Sequence, residues 1–266
     1  MSNIQLPETL ILFRHGVFEG NERATLVGKA AELAMAEGFG LHDFDDKPLL
    51  PEGEAQANRM GMALRTAGFT IDACMRSRTL RTQRTAELVM AHLGFDHHKI
   101  EVCDGLIERN RGRFSYAPDE QSELDPEYRV GKESTLNWRP ASGSKPNMKG
   151  ETLREVIDNR LRPEVHRAGR LIPNGTVAFA THSEIIVAAR GMEELGDMDD
   201  GRLSRPLFPG APLDIEALRK AKWVGKGQAD IYARLHPDSG DRMTHFRSII
   251  VDPSVFDTGW IELRRP

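Results

Sequence analysis

Cysteine is nearly absent: only Cys74 and Cys103 occur in 266 residues, each inside a short apolar run. That usage argues against a disulfide framework and fits buried thiols in a reducing compartment. Aromatic side chains are scarce as well, at 6% of residues, so most of the core must be aliphatic. Neither sign of charge dominates. A formal net charge of -4 argues against a broad nucleic-acid surface, although a small cationic pocket can persist in an acidic protein because the local field attracts the substrate. No stretch approaches the ~18 apolar residues of a membrane span. Met1 to Pro7 carries neither a positive n-region nor an apolar h-region. The expectation is a cytoplasmic protein with no membrane or nucleic-acid partner.

What is present is alternation. Thr9 to Phe13 reads as a strand, Glu54 to Ala67 as a helix, Ile71 to Met75 as a strand and Thr79 to Leu93 as a helix. Ala57, Met60, Gly61, Leu64 and Ala67 recur at helical spacing and form one buried stripe facing a sheet. Ile100 to Cys103 is strand-like, a helix opens at Glu151, Thr176 to Ala180 is a strand and Ser183 to Glu194 a helix. Pro163 lacks an N–H and should divide the helix that opens at Glu151. Such a βα order predicts an α/β fold: a three-layer α/β/α sandwich around a mostly parallel central sheet.

Two segments interrupt the alternation, near 22–47 and 115–149; the second carries four prolines and few apolar residues. Both read as surface excursions suited to substrate selection. Ala229 to Leu235, Phe246 to Val251 and Trp260 to Leu263 read as strands of a C-terminal β-hairpin region. No repeat or linker stands out, so residues 1–266 are read as one domain with two insertions and an extension from about 191. The edge strands of that tail offer a pairing surface for a homodimer.

Four separated pieces carry the chemistry, each just past a predicted strand. They are Arg14-His15-Gly16, the stretch Ser77 to Glu87 containing Arg81 and Thr85-Ala86, Glu108-Arg109-Asn110-Arg111-Gly112, and Thr181-His182-Ser183. In open α/β sheets the ligand crevice lies outside the carboxyl ends of the strands. A phosphomonoester is a poor electrophile because its oxygens are negative, so an enzyme must neutralise them while aligning a nucleophile. Arginine forks match phosphate oxygens, and an imidazole can attack.

Taken together, these pieces resemble the histidine phosphatase superfamily, in its phosphoglycerate mutase-like branch. Pro48-Leu49 with Gly53 and Gln56-Ala57 is similar to the family's "PLT-x-x-G-x-x-QA" stretch, and Gly150-Glu151-Thr152-Leu153 to its "GESL" helix start. The resemblance implies a metal-independent phosphomonoester hydrolase without cofactor, acting on a small phosphorylated substrate. It further implies that His15 becomes a phosphohistidine, that Glu108 is the proton donor and that His182 assists. Arg14, Arg81 and Asn21 would bind phosphate, with Ser183 as a further substrate contact. The chain departs from the pattern at Val17 and Phe18, where many members carry Glu and Ser or Thr, and at Ser183, where glycine often follows the second histidine.

Two other readings are carried. One is a phosphotransferase of the phosphoglycerate-mutase type, disfavoured because the stretch from Glu108 to Glu151 is shorter than the segment associated with cofactor-dependent mutases. The other is a non-catalytic phosphate-ligand-binding protein, motivated by the departures at Val17 and Phe18. Arg78 and Arg84 read as solvated charges, and Glu151 as a structural helix start. His97-His98 invites a metal, but no third donor stands at useful spacing, so no metal is expected.

Overall fold

A computed structural model describes residues 6–18, 47–116, 124–128, 137–143, 149–194, 228–233 and 244–250, and the account below is confined to these. The strands are β1 (Thr9–Arg14), β2 (Ala73–Arg76), β3 (Glu101–Val102), β4 (Thr176–Thr181), β5 (Gln228–Ala233) and β6 (Thr244–Ile250). They form one sheet in the order β3-β2-β4-β1-β5-β6. The pairings among β3, β2, β4 and β1 are parallel, and β5 and β6 are added antiparallel. The predicted α/β architecture is therefore present. The C-terminal pair extends the sheet beside β1, while the strand expected at Trp260 to Leu263 lies outside the described residues.

The helices are α1 (Pro51–Thr66), α2 (Leu80–His92), α3 (Leu153–Val156), α4 (Arg162–Leu171) and α5 (Ser183–Glu194). Alternate residues of each central strand point to opposite faces. Ile11, Phe13, Cys74, Ala178 and Ala180 pack with Met60 and Leu64 of α1 and Val89 and Met90 of α2. On the other face Leu10, Leu12, Met75, Val177 and Phe179 pack with Val156, Val165 and Ile186 of α3, α4 and α5. This gives three layers. Cys74 and Cys103 belong to opposite layers and are free thiols, each pushed up to about 12, chiefly by burial. No helix among the described residues is long and apolar enough to cross a membrane.

Local chemistry sets the helix starts. Thr79 caps α2 by accepting the Thr82 N–H on its hydroxyl. Thr152 caps α3 in a reciprocal capping box with Glu155, so that helix begins at Leu153 rather than at Glu151. Between α3 and α4 the chain makes a π-helical turn, Ile157–Leu161, just before Pro163. The proline has no N–H for the carbonyl four residues back, and the wider turn absorbs that loss. The excursion after Glu108 is less loose than its composition suggests. Phe114 and Tyr128 are buried and meet edge-to-face at 5.1 Å, with Trp138 against both, and Arg113 pairs with Asp125 and Glu127.

The loop after β1 lies backbone-on-backbone against the start of α1. A Cβ on Gly16 would sit 2.4 Å from the Gly53 carbonyl oxygen, and one on Gly53 would sit 1.9 Å from the Val17 carbonyl oxygen. The Leu50 N–H donates to the Val17 carbonyl at 3.0 Å, and the Val17 N–H donates to Gln56 Oε1 at 3.0 Å. Only glycine permits this approach. Gly53→Ala is expected to lower the unfolding free energy by ~1–3 kcal/mol through overpacking, read from a urea melt. A variant as stable as the parent would show that the loop yields.

Candidate active site

The register of three adjacent strands gathers the predicted residues. Arg14 of β1 pairs with Thr181 of β4, and the next residue, His15, donates its N–H to the Thr181 carbonyl at 3.1 Å. Ser77, just past β2, donates its N–H to the Ala180 carbonyl at 3.0 Å. The Thr181 hydroxyl donates to the Leu106 carbonyl at 2.7 Å, which draws the segment leading to Glu108 onto the end of β4. All of this happens at the carboxyl edge of the parallel strands.

His15 is 3% exposed. Its Nδ1 lies 2.8 Å from the Gly16 carbonyl oxygen. A carbonyl only accepts, so Nδ1 is the donor here, and in the neutral ring Nε2 keeps the lone pair. The ring meets the His182 ring edge-on at 5.1 Å and the Phe18 ring at 5.3 Å. The Arg81 guanidinium carbon stands 4.7 Å over Phe18, a cation–π contact that brings this arginine beside the imidazoles. Arg81 is buried, whereas Arg78 and Arg84 are exposed and face Asp104 and Glu54 across surface ion pairs. Thr85 joins the two segments: its hydroxyl donates to the Arg81 carbonyl at 2.7 Å and accepts the Gly16 N–H at 3.2 Å.

His182 is fully buried. Burial holds its imidazole well below the usual histidine range, and Arg81, His15, Arg14 and Arg160 add to this, so the ring is neutral. Its Nε2 is 3.0 Å from the Ser77 hydroxyl, while its buried Nδ1 has no hydrogen bond among the described residues. When the Ser77 hydroxyl donates, Nε2 is the acceptor and Nδ1 carries the proton, ready for an anionic oxygen. Ser77 was not singled out from the sequence, although it opens the stretch that contains Arg81.

Glu108 is half-buried. Burial raises its carboxyl above the ordinary range, and the nearby Glu184 carboxylate raises it further, against Arg14, Arg111 and the Glu184 N–H. Its Oε1 accepts the Glu184 N–H at 3.1 Å and the Arg109 N–H at 3.3 Å, and its Oε2 accepts from the Ser183 hydroxyl at 3.2 Å. Glu184 is itself forked by Arg109 at 2.9 and 3.1 Å, a bidentate pairing that compensates its charge beside Glu108. Ser183, expected as a substrate contact, thus has its hydroxyl on Glu108. Neither Glu184 nor Arg111 was picked out from the sequence; a lone acid one residue past Ser183 carries no signal until the fold brings it to Arg109.

Glu151 holds the Glu108 loop from outside. Its carboxylate accepts the Asn110 N–H at 2.8 Å and Arg160 Nη1 at 2.9 Å, while Arg160 Nη2 donates to the Ile107 carbonyl. Asn21, expected to bind phosphate, lies outside the described residues. Away from this region, Asp96, His97 and His98 each bring one donor atom within 4.8 Å of the others on exposed surface. A third donor is therefore present, contrary to the sequence reading. Asp96 already caps the short turn by accepting the His98 N–H at 3.0 Å.

With the geometry established, comparison with known proteins identifies the lineage. Residues 10–195 match the Histidine phosphatase superfamily (branch 1). The chain belongs to that superfamily. Among similar sequences are 2,3-bisphosphoglycerate-dependent phosphoglycerate mutases of Azorhizobium caulinodans and a Methylobacterium species. The first is 26% identical over 77% of this chain and 89% of its own length, the second 29% over 77% and 86%. Solved structures of similar fold include a mycobacterial glucosyl-3-phosphoglycerate phosphatase, with TM-score 0.62 and 17% identity, covering 90% of this chain and 96% of that one. A putative alpha-ribazole-5'-P phosphatase of Escherichia coli K-12 has TM-score 0.55 and 16% identity, covering 97% and 95%.

The raised Glu108 has a consequence for stability. The folded state keeps a proton that the unfolded chain releases above the ordinary value of 4.5, so this contribution is fully present below that pH and is lost as pH rises through the folded value. Glu108→Gln should therefore gain melting temperature on the parent protein as pH rises from 4 to 8. An unchanged difference across that range would place the proton elsewhere.

Proposed function

We propose that this chain is a metal-independent phosphomonoester hydrolase that works by double displacement through His15. The observation that carries the reading is the Nδ1 contact with the Gly16 carbonyl, which in the neutral ring leaves His15 Nε2 as the lone-pair nitrogen, with Arg81 close by over the adjoining Phe18 ring. In the first half-reaction Nε2 forms a bond to phosphorus as the ester P–O bond breaks. Glu108 gives its proton to the departing alkoxide and becomes a carboxylate. In the second, that carboxylate takes a proton from water as the water oxygen attacks phosphorus, the N–P bond breaks, and inorganic phosphate leaves.

Arg14 and Arg81 would neutralise the phosphoryl oxygens. His182, held neutral, would donate from Nδ1 to an oxygen whose charge grows in the transition state. Such a donor set supplies charge stabilisation from side chains alone, which is the basis for expecting turnover without a divalent ion. The mutases among the sequence relatives keep a phosphotransferase in view, and the experiment separates the two.

Turnover of an aryl phosphate is measured in excess chelator, and the protein is quenched in alkali, where phosphohistidine survives, and examined by phosphorus NMR. Phosphate release and a labelled histidine are expected, with His15→Ala losing the label and slowing turnover by at least ~10³-fold. Isomerisation of a phosphoglycerate with little phosphate release would make the chain a mutase. Undiminished turnover in His15→Ala would end the reading.

A further inference from the structure

We propose that the Arg109–Glu184 ion pair is a positioning device for Glu108, fixing Oε2 as the oxygen that delivers and recovers the proton. The inference rests on the proton-donor role given to Glu108 above. The two residues whose side chains pair are the same two whose backbone N–H groups converge on Glu108 Oε1, at 3.3 Å from Arg109 and 3.1 Å from Glu184. An oxygen facing two donors is a poor place for a proton, so the hydrogen resides on Oε2. There the Ser183 hydroxyl, 3.2 Å away, can accept from the acid or donate to the carboxylate.

The pair makes this asymmetry rigid. Arg109 Nε and Nη2 engage both Glu184 oxygens, at 3.1 and 2.9 Å. Arg109 belongs to the loop that follows β3, and Glu184 to the first turn of α5, immediately after His182. The fork therefore ties the acid's loop to the helix start that carries the second imidazole. It is well enclosed: the side chains are 8% and 25% exposed, and the guanidinium lies 5.7 Å from the Trp138 ring centre. With its Nε/Nη2 edge on Glu184, Arg109 acts on Glu108 through that neighbour.

The charged groups acting on Glu108 are the Glu184 carboxylate, Arg14 and Arg111, and the Arg109 guanidinium sits behind Glu184, with which it is paired. Removing either half of the pair must act in opposite senses. Glu184→Gln deletes a negative neighbour and leaves Arg109 uncompensated, so Glu108 loses its proton more easily and the alkaline limb of the kcat profile moves to lower pH. Arg109→Met exposes Glu108 to an uncompensated carboxylate, and the limb moves to higher pH. Displacements of about one pH unit are expected.

A second readout is the leaving group. An alkyl phosphate needs the proton, whereas 4-nitrophenyl phosphate leaves with little help. Both variants should lose ~10- to 100-fold on the alkyl phosphate and at most a few-fold on the nitrophenyl ester. Glu184→Gln should add little to Glu108→Gln on either substrate. If Arg109→Met does not fold, the double variant Arg109→Met/Glu184→Met removes both charges and should fold. Its limb should return towards that of the parent protein while the leaving-group sensitivity persists.

Equal losses on both substrates, or limbs that stay in place or move together, overturn the role given to the pair. A parent protein that releases no phosphate from either ester brings down the hydrolase reading, and this inference with it. A parent that turns over, with variants losing equally on both esters, brings down the inference alone.

Discussion

The parallel pairing of β1 with β4 is the constraint on which the site depends. Leu10 to Phe13 is buried on both faces, so its register against Val177 to Ala180 is enforced by two hydrophobic layers at once. A slip by one residue would move every side chain to the wrong layer. Held in register, the strands end together and deliver His15 and His182 side by side, with the His15 N–H closing the ladder on Thr181. The loop that follows has no freedom either, because Gly16 and Gly53 touch through their backbones and Gln56 takes the Val17 N–H. Burial thus orients the imidazole indirectly: it fixes the strand, the strand fixes the loop, and the Gly16 carbonyl in that loop fixes the ring.

Within this frame the same desolvation acts on an acid and a base in opposite directions. It shifts His182 towards its neutral form and Glu108 towards its protonated form, so one cause moves the base and the acid alike away from charge. Permanent positive charge then comes from the arginines, which do not titrate. The Arg14 charge lowers both groups, so one arginine acts on the acid and on the second imidazole. A dianion entering such a site meets the arginine cations and the neutral His182, while the nearby Glu184 carboxylate is held in the Arg109 fork. Groups whose environments set their protonation apart in this way are the arrangement acid–base chemistry needs.

The βα order, both helix-lined faces and the convergence of Arg14, His15, Arg81, Glu108 and His182 were legible because they rest on local patterns. Four-residue apolar runs mark buried strands, and the candidate site residues stand where those runs stop. Glu184, Ser77 and Arg111 were not legible, since their importance lies in contacts across long sequence separations, such as Arg109 with Glu184, that no periodicity encodes. Glu151 shows the intermediate case. It looked like a helix-opening acid, but Thr152 and Glu155 do the capping between themselves, which frees the Glu151 carboxylate to hold Asn110 and Arg160. The small aromatic core of Phe114, Tyr128 and Trp138 was hidden for a similar reason, because its members are spread through a proline-containing stretch with no repeat.

The places where the chain departs from the family pattern are absorbed by specific contacts. Phe18 puts an apolar ring edge against His15 and its face under Arg81, drying the imidazole while keeping a cation near it. Val17 contributes only its backbone, N–H to Gln56 and carbonyl to Leu50, so its side chain is not asked to bind anything. Ser183 stands where glycine is usual and puts a hydroxyl on Glu108, beside the Glu184 N–H on the other oxygen. These departures leave His15, Arg14, Arg81, Glu108 and His182 in place and alter the groups that contact His15 and Glu108. A chain that had kept the fold only to bind phosphate would have no need for the acid to be gripped on both oxygens. Under the hydrolase proposed above, that grip is what would hold the acid for proton transfer.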